Sequence, residues 1–249
     1  MTIDINSDLG EGAGHDDEVL AIVTSANISC GFHAGDPGSI LACIQRANEH
    51  GVAVGAHPSF PDRENFGRTE MKMAAGLVFS QVLYQLGAFA ALCVAADVRL
   101  NHVKPHGALY NMAARDRELA QAIAHAVLAI DRRLLVFAPA GSDLDRAARA
   151  LGLVVVPEVF ADRNYLSNGE LVPRSRPDAL ITDPAEAAAR ATTMVREQRV
   201  RAVDGSMIVM RGETICVHGD NARAVEFARA LKTSLQDHGI VVGARQRGS

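Results

Sequence analysis

Residues 27–58 read NISCGFHAGDPGSILACIQRANEHGVAVGAHP, with a short apolar run at 27–30, a longer helical pattern at 37–50 and a second short apolar run at 52–56. Asp36-Pro37 puts a side-chain acceptor before the helix and a residue without an N–H at its first position, and Gly51 stands where a left-handed cap would end it. Polar residues follow each apolar run at once: Gly31-Phe32-His33-Ala34-Gly35-Asp36 after the first, His57-Pro58 after the second. Strand, crossover helix and strand make one β/α unit with parallel strands.

The same alternation runs outward in both directions. Strands are expected at 2–6, 100–104, 134–138, 153–159 and 214–217 as well, and helices at 16–24, 74–96, 114–131, 143–151, 184–199 and 221–238. Several of the strand runs are too apolar to have one wet face, which favours parallel pairing. Asp183-Pro184 repeats the Asp-Pro helix start. No linker divides the chain, so residues 1–249 read as one domain. An α/β fold closed as a (β/α) barrel suits this pattern, with an open doubly wound sheet as the other solution.

Composition excludes several classes. A hydrophobic fraction of 48% supplies a sizeable core, and 25 basic against 29 acidic residues, without clusters, weigh against a nucleic-acid partner. Cys30, Cys43, Cys93 and Cys216 are scattered, with no C-x-x-C pair, and read as reduced thiols of a cytoplasmic protein. The opening MTIDINSDLGEG lacks the basic start and apolar stretch of an export signal. Residues 74–96 carry no charge and are long enough to cross a bilayer. Ser80, Gln81, Gln85 and many alanines argue instead for a helix buried in protein, and any exposed apolar face on it is expected to dock another subunit or a second copy of the chain. No Rossmann, Walker, G-x-S-x-G or H-E-x-x-H string occurs.

The chemistry collects after the strands. Asn6-Ser7-Asp8-Leu9-Gly10-Glu11-Gly12 follows the first, Lys104-Pro105-His106-Gly107 closes the fourth, Glu158 to Arg163 follows the sixth and His218-Gly219-Asp220 the last. In a parallel barrel all these strand ends open on one face, so the clusters converge on one pocket. Asp8, His33, His57, Lys104, His106 and His218 are the candidate catalytic residues. Asn6, Glu11, Asp36, Arg63, Arg68, Arg163, Tyr165, Arg174 and Asp220 are candidates for binding substrate or nucleotide, the arginines suiting an anion. Plainer readings stand beside these: Asp36 and Asp220 as helix caps, Asn6 as a turn former, a single histidine as a hydrogen-bonded structural residue.

Lys104 is one of three lysines among 25 basic residues, which makes its place at a strand end informative. It is expected to face Asp8 across the barrel mouth and aid chemistry more than folding; its plainer reading is an ion pair with Asp8 or Glu11. No tightly bound metal is expected, with Asp8, His33 and His57 the ligands if one binds.

The strings IDINSDLGEG, ANISCGFHAGDP, GAHPSFPDRENFGR, VKPHGALYN, EVFADRNYLSNGELVPRS and CVHGDN closely resemble the LamB/YcsF family, the A subunits of 5-oxoprolinase, from about residue 3 to residue 243. Ser7, Asn65 and Asp178 depart from the residues common there. The resemblance implies a seven-stranded barrel of the glycoside hydrolase/deacetylase type and ATP-dependent opening of 5-oxo-L-proline to L-glutamate. It implies ATP with Mg as co-substrate and the B and C subunits as partners. A stand-alone metal-dependent amide or N-acetyl-sugar hydrolase is the alternative function.

Overall fold

The computed structural model describes residues 1–218 and 223–248, so Asp220 lies outside the described residues. The strands are β1 (Thr2–Leu9), β2 (Ser25–Ser29), β3 (Ala53–His57), β4 (Leu100–Val103), β5 (Leu135–Ala138), β6 (Val154–Phe160), β7 (Arg199–Arg201), β8 (Met207–Val209), β9 (Thr214–Val217) and β10 (Val241–Val242). The helices are α1 (Asp16–Leu20), α2 (Pro37–Glu49), α3 (Ala75–Ala95), α4 (Gly107–Ala113), α5 (Arg117–Ile130), α6 (Asp143–Ala150), α7 (Pro184–Glu197) and α8 (Ala224–Asp237).

Strands β1 to β6 pair in sequence order, β6 pairs β9, and β9 pairs back to β1, all in parallel. The result is a closed seven-stranded barrel, not an open sheet. Closure leaves no edge in the wall, and β10 adds only a two-residue ladder on β1, Thr2 opposite Val241 and Ile3 opposite Val242. The helix starts follow from their caps: Asp36 accepts from Gly38 and Ser39, and Asp183 from Ala185.

The barrel interior is unusually polar on one side. Along β1, Asp4, Asn6 and Asp8 are spaced two apart and share one face, while Ile3 and Ile5 lie under the helices. Asp4 accepts from Thr24, Ser25 and Thr214; burial pushes its carboxyl up even so. Asn6 donates to Glu158 on β6 and Thr214 on β9, and Asn27 on β2 donates to both Asn6 and Asp8. Buried polar groups are tolerated there because each finds a partner across the barrel. The other side is apolar: Leu135, Phe137 and Val156 form an inner cluster, and His102 stacks on Phe137 with centroids 4.1 Å apart. Gly55 makes room for that ring, since a Cβ there would sit 2.1 Å from His102 Nε2.

Strand β1 runs three residues beyond its expected end, so Asn6 and Asp8 belong to the wall and not to a loop. Helix α5 begins at Arg117 behind an Asp116 cap, and α4 is a separate short helix not foreseen. The β7/β8 hairpin and β10 were not foreseen either. The uncharged helix α3 is long and apolar enough to cross a membrane, yet it is tied to the barrel. Gln85 accepts from the Ser59 amide and donates to the Ser59 carbonyl, each at 2.9 Å, while Val78, Val82, Leu86, Phe89 and Cys93 pack inward. Leu77, Tyr84 and Val94 remain exposed on its outer face.

Candidate active site

At the C-terminal mouth of the barrel a cavity of about 570 Å³ opens, lined among others by Asp8, Glu11, His57, Lys104, His106, Tyr110, Glu158 and His218. The strand ends bring these residues together from β1, β3, β4, β6 and β9 and from the segments that follow them.

Lys104 is 3% exposed and its Nζ lies 2.9 Å from Asp8 Oδ1, 2.9 Å from Glu158 Oε1, 3.2 Å from Asn6 Oδ1 and 3.0 Å from Cys216 Sγ. Burial alone would lower the ammonium's pKa, but Asp8 and Glu158 outweigh it and hold the pKa well above the ordinary value. Burial likewise opposes the Asp8 carboxylate, and His57 and Lys104 overcome it, so Asp8 stays charged well below the usual range. The expected Lys104–Asp8 pair is present, Glu158 is a second partner, and Glu11 is not one of them.

Glu11 sits among three histidines. Its Oε1 is 2.8 Å from His33 Nε2, 3.3 Å from His106 Nδ1 and 3.9 Å from His57 Nε2. His33 and His106 stack, with centroids 3.8 Å apart and planes 6° apart. Burial opposes the Glu11 charge, yet the bonds from His106 and His33 bring its pKa down to about 2; burial lowers His33 to about 4. For His57 burial favours the neutral ring, but Asp8 and Glu11 reverse that and raise it. The corner between Asp8 and Glu11 therefore calls for positive charge.

A sharp loop shapes this corner. Phe66 and Gly67 have φ of 56° and 66°, left-handed backbone in both cases. That turn aims the Phe66 carbonyl at His106 Nε2, 2.8 Å away. A Cβ on Gly67 would stand 2.8 Å from His106 Cδ2 and 3.0 Å from His33 Cβ. Asp62 holds the loop by accepting from Asn65 and from the Thr69 amide.

Opposite, His218 Nδ1 lies 2.9 Å from Asp162 Oδ2, so the carboxylate fixes the ring and leaves Nε2 as the proton acceptor. His218 also lies over the Phe160 ring. Arg163 is buried, donates to the Val172 carbonyl and has burial and neighbouring Arg174 lowering its pKa to about 10. Two guanidinium groups close enough to perturb each other on one cavity wall favour an anion between them. Arg68 and Tyr165 also line the cavity, and the Tyr165 hydroxyl accepts from the Phe160 amide.

Not every candidate reaches the mouth. Asn6 lies below it in the interior network, where it positions Lys104 and Glu158. His33 does not line the cavity itself and reaches it through Glu11 and the stacked His106. Asp36 is exposed and caps α2, and Arg63 donates to the Gly31 and Gly35 carbonyls, so both brace the loop before α2, and neither lines the cavity. Of the three expected metal ligands, His33 and His57 join a convergent group with Glu11 and His106, and Asp8 does not. In a second group, Asp8, Cys216 and His218, the Lys104 ammonium already bonds Asp8 and Cys216.

Glu158, Tyr110, Asp162 and Cys216 were not among the candidates. Glu158 Oε2 and Tyr110 Oη are both buried at the cavity and have no hydrogen-bond partner among the described residues. A lone carboxylate in the run Val154–Phe160, otherwise apolar, was the available signal for Glu158.

The sequence profile of the LamB/YcsF family matches residues 3–248. A solved structure of a lactam utilization protein from Thermus thermophilus is 49% identical, with a TM-score of 0.92 over 98% of this chain and 100% of that one. Two others share the fold at low identity. A family 4 carbohydrate esterase from Streptomyces lividans gives 10% identity and a TM-score of 0.51 over 100% and 96% of the two chains. A glycoside hydrolase family 113 β-1,4-mannanase gives 13% and 0.52 over 95% and 99%.

Proposed function

Since this chain belongs to the LamB/YcsF family, we propose that it opens the amide ring of 5-oxo-L-proline to L-glutamate, as the A subunit of an ATP-dependent 5-oxoprolinase acting with B and C subunits. The observation that carries the reading is one cavity holding an Asp162-backed histidine, a buried corner where Asp8 and Glu11 favour positive charge, and a pair of arginines. The 49% identity to a lactam utilization protein supports the same substrate class.

Ring opening adds water oxygen to the amide carbon, breaks the C–N bond and delivers a proton to the ring nitrogen. An amide carbon is a poor electrophile, and phosphoryl transfer from ATP to the amide oxygen, with ADP leaving, would activate it; water addition and C–N cleavage then give an acyl phosphate, which a second water hydrolyses to glutamate and phosphate. His218, held by Asp162, is the group placed to take the proton from water. At the corner the Asp8 and Glu11 carboxylates favour a cation, which would face charge developing on oxygen. Arg163 and Arg174 hold the substrate carboxylate or a phosphate. Lys104 is not a free donor, because Asp8, Glu158, Asn6 and Cys216 already surround its ammonium; it acts as a fixed charge that positions both carboxylates. Magnesium entering with ATP would keep oxygen ligands, so the imidazole-rich corner is not its site. The exposed Leu77, Tyr84 and Val94 of α3 are the face offered to the other subunits. Four free cysteines accord with a cytoplasmic setting, where ATP is supplied.

The test is reconstitution of this chain with B and C subunits, following glutamate and ADP together. Stoichiometric, ATP-dependent glutamate formation is expected. No glutamate with all three subunits present overturns the proposal, and turnover without ATP or partners replaces it with the stand-alone amide hydrolase.

A further inference from the structure

Two backbone carbonyls fix the protons on two of the mouth histidines. His57 Nδ1 lies 2.7 Å from the Lys104 carbonyl and His106 Nε2 lies 2.8 Å from the Phe66 carbonyl. A carbonyl only accepts, so both of those nitrogens carry hydrogen. In the neutral rings the other nitrogens, His57 Nε2 and His106 Nδ1, then bear lone pairs, and they face each other across 3.0 Å. Two lone pairs at that distance call for a cation between or beside them, either an extra proton on one ring or a metal ion that takes both.

Two further ligand atoms point at the same place. Glu11 Oε1 is 3.3 Å from His106 Nδ1, and His33 Nε2 is 2.8 Å from Glu11 Oε1; all four atoms lie within 4.8 Å of one another. Four donors at zinc-type bond lengths around one tetrahedral ion stand about 3.3 Å apart, inside the span of these separations. The carbonyls behind His57 and His106 are the outer supports that metal-binding imidazoles require. The loop that supplies one of them is held in left-handed backbone at both Phe66 and Gly67, a conformation that brings the carbonyl to the ring.

We propose that Glu11, His33, His57 and His106 bind a divalent transition-metal ion of the zinc type at the corner of the cavity that calls for positive charge. Three imidazoles and one carboxylate select a borderline metal over magnesium or calcium, which take oxygen ligands. Asp8 belongs to a separate group, its Oδ1 shared by Lys104 and Asn27, while its Oδ2 lies 3.4 Å from His57 Nε2 beside the site. With four protein donors a tetrahedral ion keeps no open position, so it would serve as a fixed positive charge at the cavity corner, reaching an oxygen of the substrate only by expanding to five ligands. That use rests on the lactam-opening reading above, whereas binding of the ion does not.

The experiment strips the full chain with a chelator and titrates it with zinc, cobalt and magnesium in turn, reading stoichiometry by metal analysis and, for cobalt, visible absorption. Expected are one zinc per chain, a visible cobalt spectrum and no competition by magnesium. Glu11→Gln and His106→Gln should each weaken zinc by about 100-fold or more, while His218→Gln leaves the affinity unchanged. Circular dichroism checks folding, and should His106→Gln unfold, the isosteric Glu11→Gln decides. Stripped wild-type chain that takes up no zinc, or zinc affinity indifferent to Glu11→Gln, overturns the site. Full lactam turnover by stripped chain with its partner subunits overturns the ion's role and leaves the proposed function standing; zinc binding without lactam turnover does the reverse.

Discussion

Lys104 Nζ and Glu158 Oε1 stand 2.9 Å apart inside the barrel wall, with Asp8 at the same distance on the ammonium's other side. Two buried carboxylates share one cation, which changes what loss of that cation does. Lys104→Met would leave both uncompensated, so it should destabilise the fold by about 3–5 kcal/mol, besides lowering turnover by about two to three powers of ten. Urea unfolding and the reconstituted assay check the two effects. Unchanged stability would mean that the carboxylates do not depend on Lys104. The sequence alone pointed to chemistry without a stability cost, because Glu158 was not recognised as a second partner.

Gly67→Ala should damage the mouth with little change elsewhere. The substitution combines left-handed strain, about 1–3 kcal/mol, with a methyl 2.8 Å from the His106 ring. We expect a folded chain, a lower thermal midpoint and at least about tenfold lower turnover, from displacement of the His33/His106 stack. Wild-type turnover would show that the stack tolerates rearrangement.

His102 makes stability depend on pH. Burial holds its folded pKa down at about 3, against an ordinary value of 6.5. Between those values the unfolded chain binds the proton and the folded chain does not, so the contribution is complete above 6.5 and is lost as pH falls. Within the window His102 should add a slope of about 1.4 kcal/mol per pH unit. Denaturant unfolding of wild type and His102→Gln across that range measures it; equal slopes refute the assignment.

Arg174→Gln should raise KM for an anionic substrate by about tenfold and leave kcat nearly unchanged, the signature of lost ground-state binding. Arg163 is the less clean choice, since it also bonds the Val172 carbonyl inside the fold. A kcat loss with unchanged KM would move Arg174 from binding to chemistry.

Periodicity made the barrel legible, because strands buried on both faces and capped crossover helices leave strong marks at Asp36-Pro37 and Asp183-Pro184. The convergence of Asp8, His57, Lys104, His106 and His218 was legible from their positions at strand ends. Three things were not. The two-apart spacing of Asp4, Asn6 and Asp8 hid a polar barrel interior, since polar residues after an apolar start read as the end of a strand. Tyr110 sits on a helix of seven residues, too short to show a period. The ring tautomers of His57 and His106 depend on carbonyls contributed by Lys104 and Phe66, a relation that no spacing encodes.

The wall strand made first is completed by strands made last. On one side β1 pairs with β2, but its other ladder waits for Thr214 to Val217 and then for Val241 and Val242. β6 waits for the same β9. During synthesis the growing chain therefore carries two unpaired edges on a curved parallel sheet until residue 214 has been added. Any fragment ending earlier keeps both edges open, and such fragments should associate with one another through them, so that truncation of this protein yields aggregates in place of a smaller soluble barrel.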